Sequence, residues 1–245
     1  MDYVSRLLGI GAISMPIDRV DILHDEIDIE NLKPLDDRIL VERLFKDKSS
    51  GGIWLSGEIR SECSYGRVLK VGRGIMAQET GKVYPMSIKP GDIVLTMDFA
   101  GDKLHTQDRR YKVTRDHGVW AKVRLDKNMN LLDLEPYSSR VLVKVTDKGI
   151  TQGGIHLPDS HQTRGYTMAT VVKVGPGWRD FKTGYVYPMT VKPGDIVCMT
   201  RYAGSIVEVD HKELRLIEER PYMASDKQPD ILFVHNDWKG WENDG

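Results

Sequence analysis

The sequence predicts an all-β protein in which one small β-barrel domain occurs twice in tandem, with an extension at each end. Three observations support this fold class. A long internal repeat has the spacing of a domain, short β-rich runs alternate with Gly and Pro turns, and no long stretch shows a 3.6-residue period.

The repeat is clearest where residues 83–94 return as residues 186–197. Ten of these twelve positions are identical, and the other two exchange Ser for Thr and Ile for Val. The shift of 103 residues (83 to 186) is too long for a solenoid, whose period is roughly 20–50 residues, and it is close to the size of a domain. We therefore interpret the chain as a duplicated domain.

The repeat extends in both directions. Residues 32–41 match residues 134–143 at a shift of 102, so the second copy gains one residue between these two blocks. The predicted divisions are an N-terminal extension 1–31, a first domain 32–124, a linker 125–133, a second domain 134–224 and a C-terminal tail 225–245.

Short strands are expected at equivalent places in the two copies. Each copy has a run rich in Ile, Leu and Val at its start, another in its middle and a third directly after a Lys-Pro-Gly-Asp sequence. Pro fixes φ near −65° and Gly accepts a positive φ, so this sequence predicts a type II turn before a strand. Close spacing of such strands is typical of a small barrel or sandwich.

Composition excludes several functional classes. The 245 residues carry a formal net charge of −1, which gives no long-range field to recruit nucleic acid or an acidic membrane. The two cysteines, Cys63 and Cys198, stand at non-equivalent positions, so neither a disulfide nor a zinc site is expected. No run approaches 18 apolar residues, and the first 30 residues fit neither a signal nor a transit peptide. We expect no cofactor and no metal.

Enzyme activity is not expected. The chain contains none of the common metal, nucleophile or phosphate-loop motifs. The pairs Asp116-His117 and Asp210-His211 fall at non-equivalent places and are interpreted as surface turns.

Five landmarks, in the same order in both copies, resemble the GroES-type co-chaperonins, the 10 kDa chaperonin family. In the first copy they are an opening strand at 32–41, a Gly-flanked loop at 49–57, a strand at 66–72, a hairpin from 81 and the turn at 89–92. The resemblance covers about three quarters of the chain. It implies two GroES-like barrels and a lid protein that does no chemistry itself.

The resemblance also implies the binding residues. In that family a mobile loop carries a hydrophobic tripeptide that docks on the ATP-bound chaperonin, whose chamber the lid then closes. The matching residues here are Ile53, Trp54 and Leu55 in the first copy and Ile155, His156 and Leu157 in the second. The expected loop hinges are Gly51, Gly52, Gly57, Gly153 and Gly154.

The loop residues favour weak, repeated binding on physical grounds. An apolar tripeptide in a Gly- and Ser-rich polar stretch has little local core to enter. Docking Ile and Leu would gain roughly 1.5–3 kcal/mol per side chain, whereas ordering the loop costs about 1–2 kcal/mol per residue. Several loops on one assembly would then bind by avidity. The alternative is that Ile53 and Leu55 are ordinary strand residues facing a core.

The two loops differ at the middle position. Trp54 would add contact area, as Trp often does at binding hot spots. His156 would make the second grip weaker or sensitive to pH near its ordinary pKa of about 6.5, or it is a solvent-facing residue without a role.

Two features depart from the family pattern. Two domains per chain fit a ring of seven poorly, and both ends of the chain carry segments outside the repeats. The apparent lack of a transit peptide separates the chain from tandem plastid relatives and favours a bacteriophage-encoded co-chaperonin in the host cytoplasm. We expect a homo-oligomer that contacts no nucleic acid and no membrane. The alternative function is a virion protein of GroES fold that decorates or cements a capsid, located in the virion.

Overall fold

The computed structural model describes residues 22–23, 28–44, 63–97, 101–105, 109–146, 166–200, 202–219 and 230–235. Within these ranges the regular elements are eighteen β-strands and one 3-10 turn at Asp116–Gly118. The predicted all-β class is confirmed.

The first half of the molecule, residues 28–125, contains eight strands and is joined by a ninth from upstream. The nine strands are β1 Ile22–Leu23, β2 Arg38–Leu44, β3 Cys63–Val71, β4 Ile75–Met76, β5 Val83–Tyr84, β6 Ile93–Met97, β7 Asp102–His105, β8 Arg110–Arg115 and β9 Val119–Leu125.

The second half, residues 131–235, begins with a strand of its own, β10, and then repeats β2 to β9 as β11 to β18. Its strands are β10 Leu131–Pro136, β11 Arg140–Val145, β12 Tyr166–Val174, β13 Trp178–Arg179, β14 Val186–Tyr187, β15 Ile196–Thr200, β16 Ser205–Val209, β17 Lys212–Glu218 and β18 Ile231–His235.

The described strands form open sheets, which differs from the closed barrels that the sequence predicts. The first large sheet has the order β1-β7-β8-β2-β3-β6-β9-β10, and the second has the order β16-β17-β11-β12-β15-β18. The small hairpins β4–β5 and β13–β14 form separate sheets. At the outer edge of β9 the first sheet continues into β10, which the repeat divides between the linker (residues 131–133) and the second copy (residues 134–136).

The predicted turns before β6 and β15 are confirmed. Gly91 has φ +93° and Gly194 has φ +95°, the left-handed values that a type II turn requires at its third residue. The amide of Asp92 donates to the carbonyl oxygen of Lys89 at 3.1 Å, which closes the first turn.

Strand β18 occupies the place in the second half that β9 occupies in the first. Thr96, Leu95 and Val94 of β6 lie opposite Val119, Ala121 and Lys122 of β9. Their equivalents in β15 lie opposite Ile231, Phe233 and Val234 of β18, with a register irregularity at the same step. The shift is 112 residues here instead of 103, so the second half reaches its last strand nine residues later. This strand falls within the segment that the sequence assigns to the tail.

Each half has a core of β-branched and aliphatic side chains. The first-half cluster consists of Ile39, Val41, Val68, Ile88, Val94, Val119 and, from the second half, Tyr137. The second-half cluster consists of Val141, Val143, Ala169, Val171, Val191, Val197, Met199, Ala203 and Ile217. A further cluster joins the halves and contains Leu95, Trp120, Ala121, Leu131, Leu134, Leu142, Val207, Val209, Leu214 and Leu216.

Candidate binding segments and the internal junction

The predicted binding segment of the first half begins and ends at one end of the sheet. Strands β2 and β3 are antiparallel neighbours, and Leu44, the last residue of β2, lies opposite Tyr65. The chain between them therefore leaves and re-enters at adjacent points. Ile53, Trp54, Leu55 and the hinges Gly51, Gly52 and Gly57 lie outside the described residues, so their contacts stay a prediction.

The second half holds its predicted segment in the same register. Strands β11 and β12 are antiparallel neighbours, and the amide of Thr146 donates to the carbonyl oxygen of Met168 at 3.0 Å. These two residues are the equivalents of Leu44 and Tyr65. The residues Ile155, His156, Leu157, Gly153 and Gly154 also lie outside the described ranges.

A buried lysine lies near Met97, at the point where the first segment rejoins the sheet, and the sequence pattern does not reveal it. Lys112 on β8 is 1 % exposed, and its Nζ donates to Thr96 Oγ1 at 3.3 Å and to the carbonyl oxygen of Met97. Met97 lies opposite Cys63, where the chain rejoins the sheet. A buried ammonium is costly unless it is hydrogen-bonded. Because Arg215 and Met199 stand at the places of Lys112 and Thr96, the two bases differ chemically.

The halves meet at what we call the internal junction, where β9 of the first half pairs with β10 of the second. The two strands are antiparallel, with Leu134 opposite Val123 and Glu135 opposite Lys122. The polar turn that links them is held by Asp126, whose side chain accepts hydrogen bonds from the amides of Asn128 and Asn130 at 2.8 Å each. The first strand of the second half, β10, thus directly extends the sheet of the first half.

Tyr137 anchors the second half in the core of the first. It is 7 % exposed and packs with the apolar cluster of the first half. Its hydroxyl donates to Asp116 Oδ1 at 2.5 Å, and Ser87 Oγ donates to the same hydroxyl at 3.3 Å. Its side chain therefore fills apolar space and supplies a hydrogen-bond donor to a buried carboxyl.

Burial raises the pKa of Asp116 to about 6, although the hydrogen bond from Tyr137 opposes that shift. The neighbouring carboxylate of Asp37 raises it further, and Arg179 of the second half lowers it. The pKa of Tyr137 is also raised, first by burial and then by the charge of Asp116. One titrating carboxyl therefore lies within the internal junction.

A buried cation also joins the two halves. The Arg140 guanidinium lies 4.6 Å from the centre of the Trp120 ring and 2.5 Å from Glu218 Oε2. Ser139 Oγ donates to the other oxygen of Glu218 at 3.1 Å. The cation–π contact joins an aromatic residue of one half to an ion pair of the other.

The two small hairpins meet at a third contact. The amides of Gln78 and Glu79 in the first half donate to the carbonyl oxygens of Phe181 and Lys182 in the second, each at 3.0 Å. All four donors and acceptors lie in the turns of the hairpins, and in both bonds the first half supplies the donor. The contact is therefore directional.

The ring of Tyr84 seals this hairpin contact. The Arg179 guanidinium lies 4.7 Å from the centre of the ring, and Lys82 Nζ lies 5.0 Å from it. The ring also covers Gly184, since a Cβ at that glycine would lie 2.2 Å from Tyr84 Cε2. Only a residue without a side chain permits this close approach.

These features define a class of protein: two strand-sharing β-domains that each hold a long segment at one end of the sheet. The family model for the chaperonin 10 kDa subunit, Cpn10, matches residues 31–123 and 133–225. The chain therefore belongs to the Cpn10 family. Strand β18 lies beyond the second matched region.

Known relatives match the chain in two ways. It is 27% identical over 197 residues to the 20 kDa chaperonin, chloroplastic, of Spinacia oleracea. The aligned residues are 79% of this chain and 74% of the relative. The protein of the same description from Arabidopsis thaliana is 29% identical, over 71% of this chain and 67% of its own length. The co-chaperonin GroES of Oleidesulfovibrio alaskensis is 37% identical over 95 residues, which are 38% of this chain and 99% of GroES.

Two further findings concern the described residues. No helix among them is long and apolar enough to cross a membrane. In the same ranges no three His, Cys, Asp or Glu side chains group as metal ligands.

Proposed function

We propose that the chain is a non-catalytic co-chaperonin that caps an ATP-bound GroEL-type chaperonin and assists the folding of enclosed proteins. The observation that carries this proposal is the double Cpn10 match together with the equivalent strand pairs that hold residues 45–62 and 147–165. Each strand pair brings both ends of its segment to one end of a sheet, as a binding loop on a rigid scaffold requires.

The proposed contacts are the apolar residues of these two segments. Ile53 and Leu55, with Trp54 between them, form the first grip, and the Ile155–Leu157 tripeptide forms the second. Because each grip gains only a few kcal/mol before the cost of ordering, stable capping needs several chains acting together. We therefore include a homo-oligomer in the proposal.

The proposed location is the cytoplasm, that of the host if a bacteriophage encodes the chain. The alternative, a capsid-decorating virion protein, finds no support in the described residues, and none of the relatives named above is a virion protein.

The test is a capping assay with purified GroEL and ATP. We expect the protein to bind the chaperonin in the presence of ATP, to lower its ATPase rate and to allow a stringent client protein to refold. The double variant Ile53→Asp with Ile155→Asp should abolish binding, because a carboxylate cannot enter an apolar groove without a large desolvation cost. Unchanged binding by this variant, or no binding by the wild-type chain in any nucleotide state, would refute the proposal.

Matched single variants separate the two grips. We expect Ile53→Asp to weaken binding more than Ile155→Asp, because Trp54 flanks the first and His156 the second. Circular dichroism and thermal unfolding should match the wild type for each, since the sequence predicts that both residues lie in Gly-rich loops and not in a core.

A further inference from the structure

The two halves hold one equivalent carboxyl in different ways. Asp116 and Glu219 stand at the same place of the repeat, at a shift of 103 residues. Their amides donate to the carbonyl oxygens of Asp37 and Ser139, at 2.9 and 2.8 Å respectively. The side chain of Glu219 accepts a hydrogen bond from the amide of Thr190 at 2.7 Å. The second-half carboxylate is thus bound within its own half.

The carboxyl of Asp116 takes its hydrogen bond from the other half. It is 7 % exposed, and Tyr137 donates to it through the hydroxyl. The amide of Tyr137 also crosses the junction, where it donates to the carbonyl oxygen of Trp120 at 2.9 Å. Ser87, which donates to the Tyr137 hydroxyl, accepts a hydrogen bond from Lys122 Nζ at its own carbonyl oxygen. Departure of Tyr137 would therefore expose the carboxyl of Asp116 to water.

The other charged groups near Asp116 come from several elements. Asp37, which is 7 % exposed, precedes β2, and Arg115 Nε at the end of β8 lies 3.9 Å from Asp37 Oδ1. His117 is the exposed neighbour of Asp116 in the same 3-10 turn. Arg179 of β13 acts on Asp116 as a positive charge from the second half. The carboxylate of Asp37 opposes ionisation of Asp116, whereas Arg179 favours it.

A proton on Asp116 stabilises the closed contact. Burial is the main cause that raises the pKa of Asp116 from 3.8 to about 6, and the charge of Asp37 adds to it. The hydrogen bond from Tyr137 and the charge of Arg179 lower this pKa without cancelling the effect of burial. Water that enters when Tyr137 leaves would return the pKa towards 3.8, so the closed contact binds the proton more tightly than the open one. The closed contact is therefore firmest below pH 4 and weakens as the pH rises through 6.

We infer that the contact between Tyr137 and Asp116 is a pH-sensitive switch in the internal junction. Tyr137 leaves the first-half core in a local opening, while both large sheets stay folded, and release of the Asp116 proton promotes this opening. Such local openings cost less free energy than global unfolding. Glu219 gives the second half no equivalent switch, because its hydrogen bonds come from its own half.

The switch changes how firmly the two halves are joined. Each half holds one of the two predicted binding segments, residues 45–62 and 147–165, between neighbouring strands. An open Tyr137 contact removes one of the links that fix these halves to each other. The inference concerns the chain by itself and does not rest on binding to a chaperonin.

Amide hydrogen exchange at pH 5 and pH 7, corrected for the intrinsic exchange rate at each pH, tests the inference on the dilute full-length chain. The reporter is the Tyr137 amide, because its hydrogen bond to Trp120 breaks when Tyr137 leaves. We expect its opening equilibrium constant to be about tenfold larger at pH 7 than at pH 5, given the pKa of Asp116 in the closed and open contact. An equal constant at the two pH values would overturn the inference.

A second amide separates local opening from global unfolding. The Val171 amide donates to the carbonyl oxygen of Asp195 at 2.9 Å within the second half. The opening constant of Tyr137 should be larger than that of Val171 at both pH values, because Val171 stays bonded while Tyr137 is out. Equal opening constants for the two amides would mean that the whole chain unfolds, and would overturn the inference.

Matched variants at the two equivalent carboxyls assign the effect. Asp116→Asn keeps the size and an acceptor oxygen but cannot titrate, so the Tyr137 opening constant should become the same at pH 5 and pH 7. Glu219→Gln makes the same change at the equivalent place and should leave the roughly tenfold difference intact. A pH dependence that persists in Asp116→Asn, or that disappears in Glu219→Gln, would show that another group is responsible and would overturn the inference.

Discussion

Tyr137 and Leu35 occupy the same place in the two copies but opposite environments. Tyr137 lies in the core of the other half, whereas Leu35 lies in solvent at the start of the first copy. Equivalent positions in the two copies therefore do not have equal surroundings. A residue at this position contributes to stability only if another half packs against it. Within the described residues, the first half has such a neighbour at the outer edge of β9, and the second half has none at the outer edge of β18.

The largest expected effect comes from removing the anchor that is buried. We predict that Tyr137→Ala lowers the free energy of unfolding by about 3–5 kcal/mol, because it leaves a cavity in an apolar core and removes the donor to Asp116. Equilibrium unfolding in urea measures the loss.

Leu35→Ala is the matched control for this comparison. Measured at a dilution where chains are single, it should change the free energy of unfolding by less than about 0.5 kcal/mol, since an exposed side chain makes few contacts. Equal losses for the two variants would show that the halves are not as different as their exposure indicates.

A smaller effect concerns pH and the carboxyl at the internal junction. The pKa of Asp116 rises from 3.8 in the unfolded chain to about 6 in the folded one, so the folded state binds the proton more tightly. Its contribution to stability is complete below pH 4 and is lost as the pH rises through 6. The loss is at most about 3 kcal/mol.

Thermal unfolding between pH 4 and pH 8 measures this dependence. Asp116→Asn should remove it and raise the melting temperature relative to wild type above pH 6. Tyr137→Phe should move the decline to higher pH, because the Tyr137 hydroxyl stabilises the ionised carboxylate. A wild-type melting temperature that rises from pH 4 to pH 7 would contradict the assignment, provided that Asp116→Asn shows no such rise.

The smallest expected difference sharpens the comparison at the hairpins. Gly184 has φ +77° and Gly81 has φ +66°, so an alanine costs about 1–2 kcal/mol at either position through backbone strain alone. Gly184→Ala must also displace the Tyr84 ring, so it should be more destabilising than Gly81→Ala by about 1 kcal/mol. Urea unfolding of the dilute chains decides this, and equal losses would mean that Tyr84 moves aside freely.

Much of the fold could be predicted because the duplication shows each turn and strand pattern twice, so that one copy supports the interpretation of the other. The two Lys-Pro-Gly-Asp turns need a Gly with positive φ before a strand, and both are present as expected. The β-rich runs also appear as strands. The end of the second half could not be predicted. Strand β18 corresponds to β9 only because it pairs with β15 as β9 pairs with β6, and the two strands are 112 residues apart whereas the repeat has a shift of 103.

The candidate site also has parts that the sequence predicted and parts that it did not. The positions at which the two binding segments leave and re-enter the sheet follow from the strand runs on either side of them. The roles of Ile53 and Ile155 in binding stay predictions. The buried Lys112, near the point where the first segment rejoins the sheet, gave no signal in the sequence, because a lysine in a strand pattern is normally a solvated residue.

The sequence by itself determined the all-β class, the duplication and the Cpn10 resemblance, because turn residues, strand patterns and repeats are local or self-referential features. Only the tertiary structure decided that β10 crosses to the other half's sheet, that β18 replaces β9 in the second half, and that Tyr137 is buried while Leu35 is not. The physical reason is that burial depends on which strand edge lies alongside. That is set by pairing between distant parts of the chain and not by the identity of the residue.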